Sequence, residues 1–385
     1  GSYNTAIGRH SLSSATTASN NTAVGRNAMG DNTTGYDNVA VGRNSLDANI
    51  GGHSNTALGE SSLTSNTEGD RNVAIGQNAM AINSTGSENV AIGRNALDAN
   101  TTASNNVAVG DAALTANTTG TYNTAVGHSA MLTNTTADGN TAIGNVALKL
   151  NTTGQYNSAL GSGALVANTT GSNNSAFGLN AGVYITTGSN NTCVGTFAGD
   201  VITTGSQNTF LGSGADSGSA TGVKRIVLGY NVAGTGDAHF TFGQGTGSDR
   251  VYNAFESNAS WTRVSDQRYK EEITDNTDCG LDFIKDLRPV TFKFKALADI
   301  DTDLPDYDES KTSRSYDKKM YGLIAQEVKQ AMADNNITDF GGWDEAEGGI
   351  QAISQEMFIH PLIKAVQEQN ALIEALTTRI TTLEG

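Results

Sequence analysis

The stretch Asn21-Thr22-Ala23-Val24-Gly25-Arg26-Asn27-Ala28-Met29 decides the fold, because close copies of it follow one another along about two-thirds of the chain. Its glycine recurs as Gly8, Gly25, Gly42 and Gly59 and so on to Gly229, fourteen times at one fixed spacing, with no insertion or deletion. A short, unbroken period demands a repeating object with one structural unit per copy. Within Thr22-Ala23-Val24-Gly25 the side chains alternate with a period of two, so Thr22 and Val24 face one way and Ala23 and Gly25 the other. A second apolar pair, Ala28-Met29, follows, and then a polar turn, Asn32-Thr33-Thr34-Gly35, whose glycine tolerates positive φ. A helix needs apolar residues three and four apart and is weakened by this density of glycine and β-branched residues. Each copy is therefore expected to be one coil of a parallel β-roll or β-helix. Fourteen coils at about 4.8 Å make a rod of roughly 67 Å.

One coil of this length carries only one or two medium-sized apolar side chains, a thin core for so long an object. Three chains wound about a common axis would remedy this, with the Ala/Gly face meeting at the centre or at the subunit contacts. The repeat itself does not supply the number three. Among other readings, low-complexity disorder conflicts with the exact period. Regular Thr and Asn ladders also suit an ice-binding surface. Calcium-binding repeats need Asp at fixed positions, which this repeat lacks. Glu60, Glu68, Asp70 and Glu88 read as solvated charges at the coil edges, not as the paired carboxylates of a glycosidase.

The 385 residues include 45 Gly, 3 Pro and 2 Cys, with a net charge of −16. That balance disfavours nucleic acid and anionic membranes as partners. There is no apolar run long enough for a membrane span. Cys193 and Cys279 form no metal-spacing motif, and no cofactor or metal is expected. The leading Gly1-Ser2 reads as a cloning remnant, so a missing leader carries no weight.

The repeat occupies residues 1–230, and a terminating rung and linker is expected over 231–264. The composition then changes: residues 265–385 hold 24 Asp and Glu against 13 Lys and Arg. Near the end, Leu362, Val366, Gln369, Ile373, Leu376, Ile380 and Leu383 advance in alternating steps of four and three, an a/d heptad pattern with one polar break. The spacing predicts a coiled-coil helix over about 361–383, with Pro361 in its first turn. A further helical segment is predicted over Gly322–Gln330, and Ala298–Tyr316 reads as an acidic loop.

At the boundary lies Val264-Ser265-Asp266-Gln267-Arg268-Tyr269-Lys270-Glu271-Glu272-Ile273. A neutral lysine beside a serine can take the hydroxyl proton and let Oγ attack a carbonyl, provided that desolvation or nearby cations lower the lysine pKa. The bare Ser-x4-Lys spacing is common and carries little by itself. However, "SDQRYKEEI", followed by "LDFIKDLRPVTFKFK", "YGLIAQEV" and the heptad helix, resembles the C-terminal intramolecular chaperone domain of phage endosialidases, tailspikes and tail fibres.

That resemblance covers residues 265–385. It implies a small α+β domain that trimerises the chain, assists folding of the β-rod and then cuts itself off between Val264 and Ser265. By the same resemblance Ser265 is the nucleophile, Lys270 its partner, and Asp266 and Arg268 supporting positions. Tyr269 and the pair Glu271-Glu272 depart from the family pattern, and negative charge beside Lys270 would raise its pKa. The repeats are similar to those of phage tail fibres and to the heads of trimeric autotransporter adhesins.

The expectation is thus a mainly β protein, a homotrimeric virion tail fibre or tailspike. It would act once on itself as a serine peptidase, with no multiple turnover, and meet a host cell-surface glycan or protein through the fibre. The alternative is a bacterial trimeric surface adhesin, extracellular or at the cell surface, that keeps an uncleaved trimerisation cap.

Overall fold

Each copy of the repeat forms a three-residue strand, from β1 (Thr5–Ile7) and β2 (Thr22–Val24) through β13 (Thr209–Leu211), followed by the longer β14 (Ile226–Tyr230). In the computed structural model, which describes residues 1–246, 249–254, 262–263, 267, 270–302, 307–313, 319–345 and 350–384, successive strands pair in parallel, each shifted by one repeat from the last. Thr22 lies opposite Val39, and Val107 opposite Thr124. The result is a parallel β-solenoid of fourteen turns. The chain divides into two compact units, Gly1–Lys270 and Glu271–Gly385.

The interior of the solenoid is built by one chain. In the second turn Ala23, Ala28 and Met29 are fully buried, and the corresponding alanines and Leu or Met are buried turn after turn. The alanines therefore face the inside of their own coil, not a subunit contact. A coil this narrow has room for two methyl groups and one longer side chain, so the small residues are an internal steric requirement. Gly25 has φ 138°, and a Cβ there would sit 2.4 Å from the carbonyl oxygen of Gly42. The repeating glycine is thus fixed by its conformation and by the close approach of the next turn.

Two asparagine ladders complete the core. In the first, Asn21 Oδ1 accepts from Asn38 N at 3.0 Å, and Asn38 Nδ2 donates to Gly52 O at 2.8 Å. In the second, Asn66 Nδ2 donates to Asn49 Oδ1 at 2.9 Å and to Gly69 O at 3.0 Å. Buried polar groups are tolerated when they are paired in this way. Core volume that the apolar content does not fill is filled by hydrogen-bonded amides.

Glu60, Asp70 and Glu88 lie at the coil surface in inter-turn pairs with Arg43, His53 and Arg71. At the end of the repeats, β15 (His239–Gln244) still pairs in parallel with β14. The next strands, β16 (Arg250–Ala254) and β17 (Thr262–Arg263), turn antiparallel and close the sheet.

The second unit packs α1 (Leu281–Asp286), α2 (Ala325–Asp334) and the start of α3 (Ile359–Glu384) around Phe283, Val328, Ala331, Met332 and Ile337. Two hairpin-like pairs accompany them: β18 (Val290–Phe292) with β19 (Met320–Gly322), and β20 (Trp343–Glu345) with β21 (Gln351–Ile353). The segment predicted as a helix from Gly322 is a strand at that residue, because Gly322 pairs with Val290. The helix begins after Ile324, whose carbonyl accepts from Glu327 N and Val328 N. At the start of the expected acidic loop, Leu297–Asp299 forms a single 3-10 turn that begins one residue ahead of it.

Candidate functional site

The candidate cleavage segment follows β17. Val264, Ser265, Asp266 and Arg268 lie outside the described residues. Lys270 is exposed, and its backbone N–H donates to Gln267 O at 3.1 Å. Glu271 and Glu272 are exposed, and Glu272 has a φ of 52°.

The motifs after the boundary build the small unit. Asn276 ties the chain ahead of α1: its Oδ1 accepts from Cys279 N at 3.0 Å, and its Nδ2 donates to Cys279 O at 3.0 Å. Within "LDFIKD", Phe283 is the fully buried anchor, edge-on to Phe340 and stacked on Phe358 at centroid distances of 5.4 and 6.3 Å. Glu368 on α3 accepts from Leu281 N at 2.7 Å. A carboxylate there satisfies one of the open N–H groups at the start of α1 and lies at the positive end of its dipole. No local pattern announces this contact, since the partners are 87 residues apart. Arg288, in the "LRPV" motif, forms a surface ion pair with Glu327 of α2, which holds its guanidinium above its usual pKa.

Helix α3 contains all seven heptad residues. It begins two residues earlier than predicted and places Pro361 in its first turn, where a missing N–H costs nothing. Only Pro361 and Ala365 of α3 are buried. Leu362, Val366, Ile373, Leu376, Ile380 and Leu383 are 48–79% exposed, and Gln369 is exposed with them. Every residue from Gln369 to Glu384 is exposed. A helix with its apolar seam in water is marginal alone, because helical stability in proteins comes mostly from packing that face.

A groove of about 350 Å³ in the same unit is lined by Val290, Tyr321, Leu323, Gln355 and Phe358, among others. It contains none of the expected catalytic residues and no ionisable side chain other than the tyrosine phenol. It offers a surface for apolar contact.

The family model described as chaperone of endosialidase matches residues 265–337. That segment of the chain is similar to the endosialidase chaperone family. The match opens at Ser265 and runs through α1, β18, β19 and α2. A fourteen-turn parallel β-solenoid followed by this chaperone segment fits a tail-fibre-like protein with a C-terminal chaperone domain. No curated protein and no solved structure matches the chain. Among the described residues, no helix is long and apolar enough to cross a membrane.

Proposed function

We propose that this chain is the subunit of a homotrimeric tail-fibre or tailspike-like protein, and that its chaperone domain gathers three chains, directs winding of the solenoid and then releases itself between Val264 and Ser265. The observation that carries this reading is the unpartnered heptad face of α3, which three parallel copies would bury. The chaperone family's association with trimeric fibres supports the number three. Parallel pairing between successive turns costs loop-closure entropy before any contact offsets it, so nucleation is slow. Holding three chains at one end lowers that barrier, and each turn then templates the next.

The cleavage step is an N→O acyl shift followed by hydrolysis. Ser265 Oγ bonds to the Val264 carbonyl carbon as Lys270 takes the hydroxyl proton. The bond from that carbon to Ser265 N breaks, and the nitrogen leaves with the proton as an amine. Water then cleaves the ester, leaving a carboxylate on Val264 and a free hydroxyl and amino group on Ser265. Asp266 and Arg268 would support this arrangement. The reaction occurs once per chain. The fibre would be a virion or cell-surface structure whose outer face meets a host glycan or protein.

Intact mass spectrometry and denaturing gels of the wild-type chain beside Ser265→Ala test the proposal. Two wild-type fragments meeting at Val264/Ser265, replaced by one intact mutant chain, are expected. An intact wild-type trimer would instead indicate a retained trimerisation cap, as on a surface adhesin.

A further inference from the structure

From the second turn on, the strands of the solenoid bury their central residue and turn the two flanking residues outward, as in the buried Ala23 between the half-exposed Thr22 and Val24. On that outward face, the third strand residue is aliphatic or aromatic in all fourteen turns, from Ile7, Val24 and Val41 through Phe177, Leu211 and Leu228. Ile143, Leu160 and Leu211 are 39–47% exposed. The first strand residue is Thr, Val, Ser or Ile. The two columns run about 62 Å along the solenoid and are about 10 Å wide, on the order of 600 Å² in projection. Nine of the fourteen first-column residues are Thr or Ser, so the continuous apolar column is about half of that strip, on the order of 300 Å², which still lies in the range of the largest apolar patch of a typical monomer. The whole strip, apolar and hydroxyl columns together, approaches the roughly 800 Å² per partner of a standard interface.

We infer that this outer sheet face is where the solenoid meets two further copies of the same chain, in zero axial register. The inference rests on the trimer reading above and adds the face and the register. Its second support is the charge bordering the apolar columns. Two residues before the strands stand Asp37, Arg71 and Glu88. Two residues after them stand Arg43, Glu60 and Arg94.

In a three-fold ring the leading border of one chain meets the trailing border of the next, a heterologous contact. With equal turns aligned, Asp37 faces Arg43, Glu88 faces Arg94, Arg71 faces Gln77 and Ser54 faces Glu60. No pair is of like sign. A slip of one turn in one direction sets Asp37 on Glu60, Arg71 on Arg94 and Glu88 on Asp111, three like-charge pairs, softened because Glu60, Arg71, Glu88, Arg94 and Asp111 already have inter-turn partners in their own chain. A slip in the other direction sets Asp37 on Arg26 and Arg71 on Glu60, which charge does not oppose. Ring closure opposes it, since a constant axial offset opens the ring into a helix. Apolar area thus supplies the adhesion, and charge with closure supplies the register.

The test places cysteines at Val90 and Ile92 of the full chain, the two outward columns that meet between neighbouring chains, with Thr102→Cys on the exposed turn as control, and reads oxidation on non-reducing gels beside sedimentation. The native Cys193 and Cys279 are buried. The chain carrying both Val90→Cys and Ile92→Cys should give covalently linked chains within a trimer, and Thr102→Cys should give none. In parallel, Asp37→Lys should weaken the trimer at low salt more than Asp37→Asn, and Arg43→Gln should remove most of that difference. Asp37 has no ion pair within its own chain among the described residues, so the charge reversal acts through the neighbour. A trimer that cross-links at Thr102 but not at Val90 and Ile92 overturns this face and leaves the trimer reading intact. Cross-linking at Val90 and Ile92 with no coupling between Asp37 and Arg43 overturns the register. A monomer removes the trimer reading and this inference together.

Discussion

Met29 and its equivalents carry an unusual burden for single residues. Met29, Leu46, Leu97 and Leu114 have φ between 51° and 54° and are fully buried. A bulky side chain in the left-handed region costs about 1–2 kcal/mol, and burying it returns about 1.5–3 kcal/mol. The second effect wins narrowly in each turn. Turns eleven and twelve resolve the position differently: Gly182 and Gly199 take it over, and Ile185 and Ile202 fill the core. The exchange ends the second asparagine ladder, and Asn168 Oδ1 is left without a partner. Within the first ladder, Asn106→Ala would strip partners from Asn123 N and from Gly120 O. It should destabilise the rod by about 2–4 kcal/mol, measured as a loss in denaturant midpoint, since each buried group left unpaired costs about 1–3 kcal/mol. Gly110→Ala would press a Cβ to 2.5 Å from Gly127 O and should abolish soluble expression. Thr119→Ala on the exposed turn should change stability by less than about 0.5 kcal/mol.

At the scale of elements, the thirteenth turn contains a titratable core. Asp216 stands where earlier turns hold Leu or Met and is 6% exposed. Burial pushes its carboxyl up to about 7, and the neighbouring Asp200 adds to the rise against a hydrogen bond from Ser217 N. A carboxyl whose folded pKa exceeds its unfolded value of 3.8 stabilises the fold fully below that value. The contribution is lost as pH rises through the folded value. The C-terminal end of the solenoid should therefore exchange amide hydrogens more readily at about pH 8 than at about pH 5, relative to its middle turns. Asp216→Asn should remove most of that contrast, and an unchanged contrast would show that the pair is not its source. Helix α3 makes the other element-scale prediction. Ile373→Asp puts a charge on the heptad face at a residue that is exposed in its own chain. It should lower trimer yield by sedimentation while leaving the fold of the small unit unchanged by circular dichroism.

For the whole molecule, folding and persistence are separable. If the chaperone leaves after winding, the cleaved rod is held by its unfolding barrier and not by a ready route back. Rods denatured and diluted after cleavage should recover little trimer, whereas Ser265→Ala chains treated alike should recover substantially more. Equal recovery would mean that the C-terminal unit is dispensable for winding. The solenoid core is intrachain, so a folded monomeric rod is sterically possible. What the chaperone supplies in this scheme is nucleation and register.

Period, strand position and the heptad were legible in the sequence because each is a local rule repeated: alternation around Ala23, a glycine at the same place in every copy, and apolar steps of four and three from Leu362. The motif running from Ser265 through "YGLIAQEV" was legible because its residue types and order are specific. Other features were not. The asparagines read as parts of a polar turn or of an ice-binding ladder, since nothing local distinguishes a solvated amide from one stacked on its own kind a turn away. The alanines read as a face turned to a trimer centre or to subunit contacts, because whether a coil closes on itself depends on its width and not on its composition. Glu368 meets α1 only because α3 folds back across it. The sequence by itself determined the repeating unit, its strand and the family likeness that begins at its boundary. Only the tertiary structure decided which side of each strand is inside, because burial belongs to the closed coil and to no single residue in it.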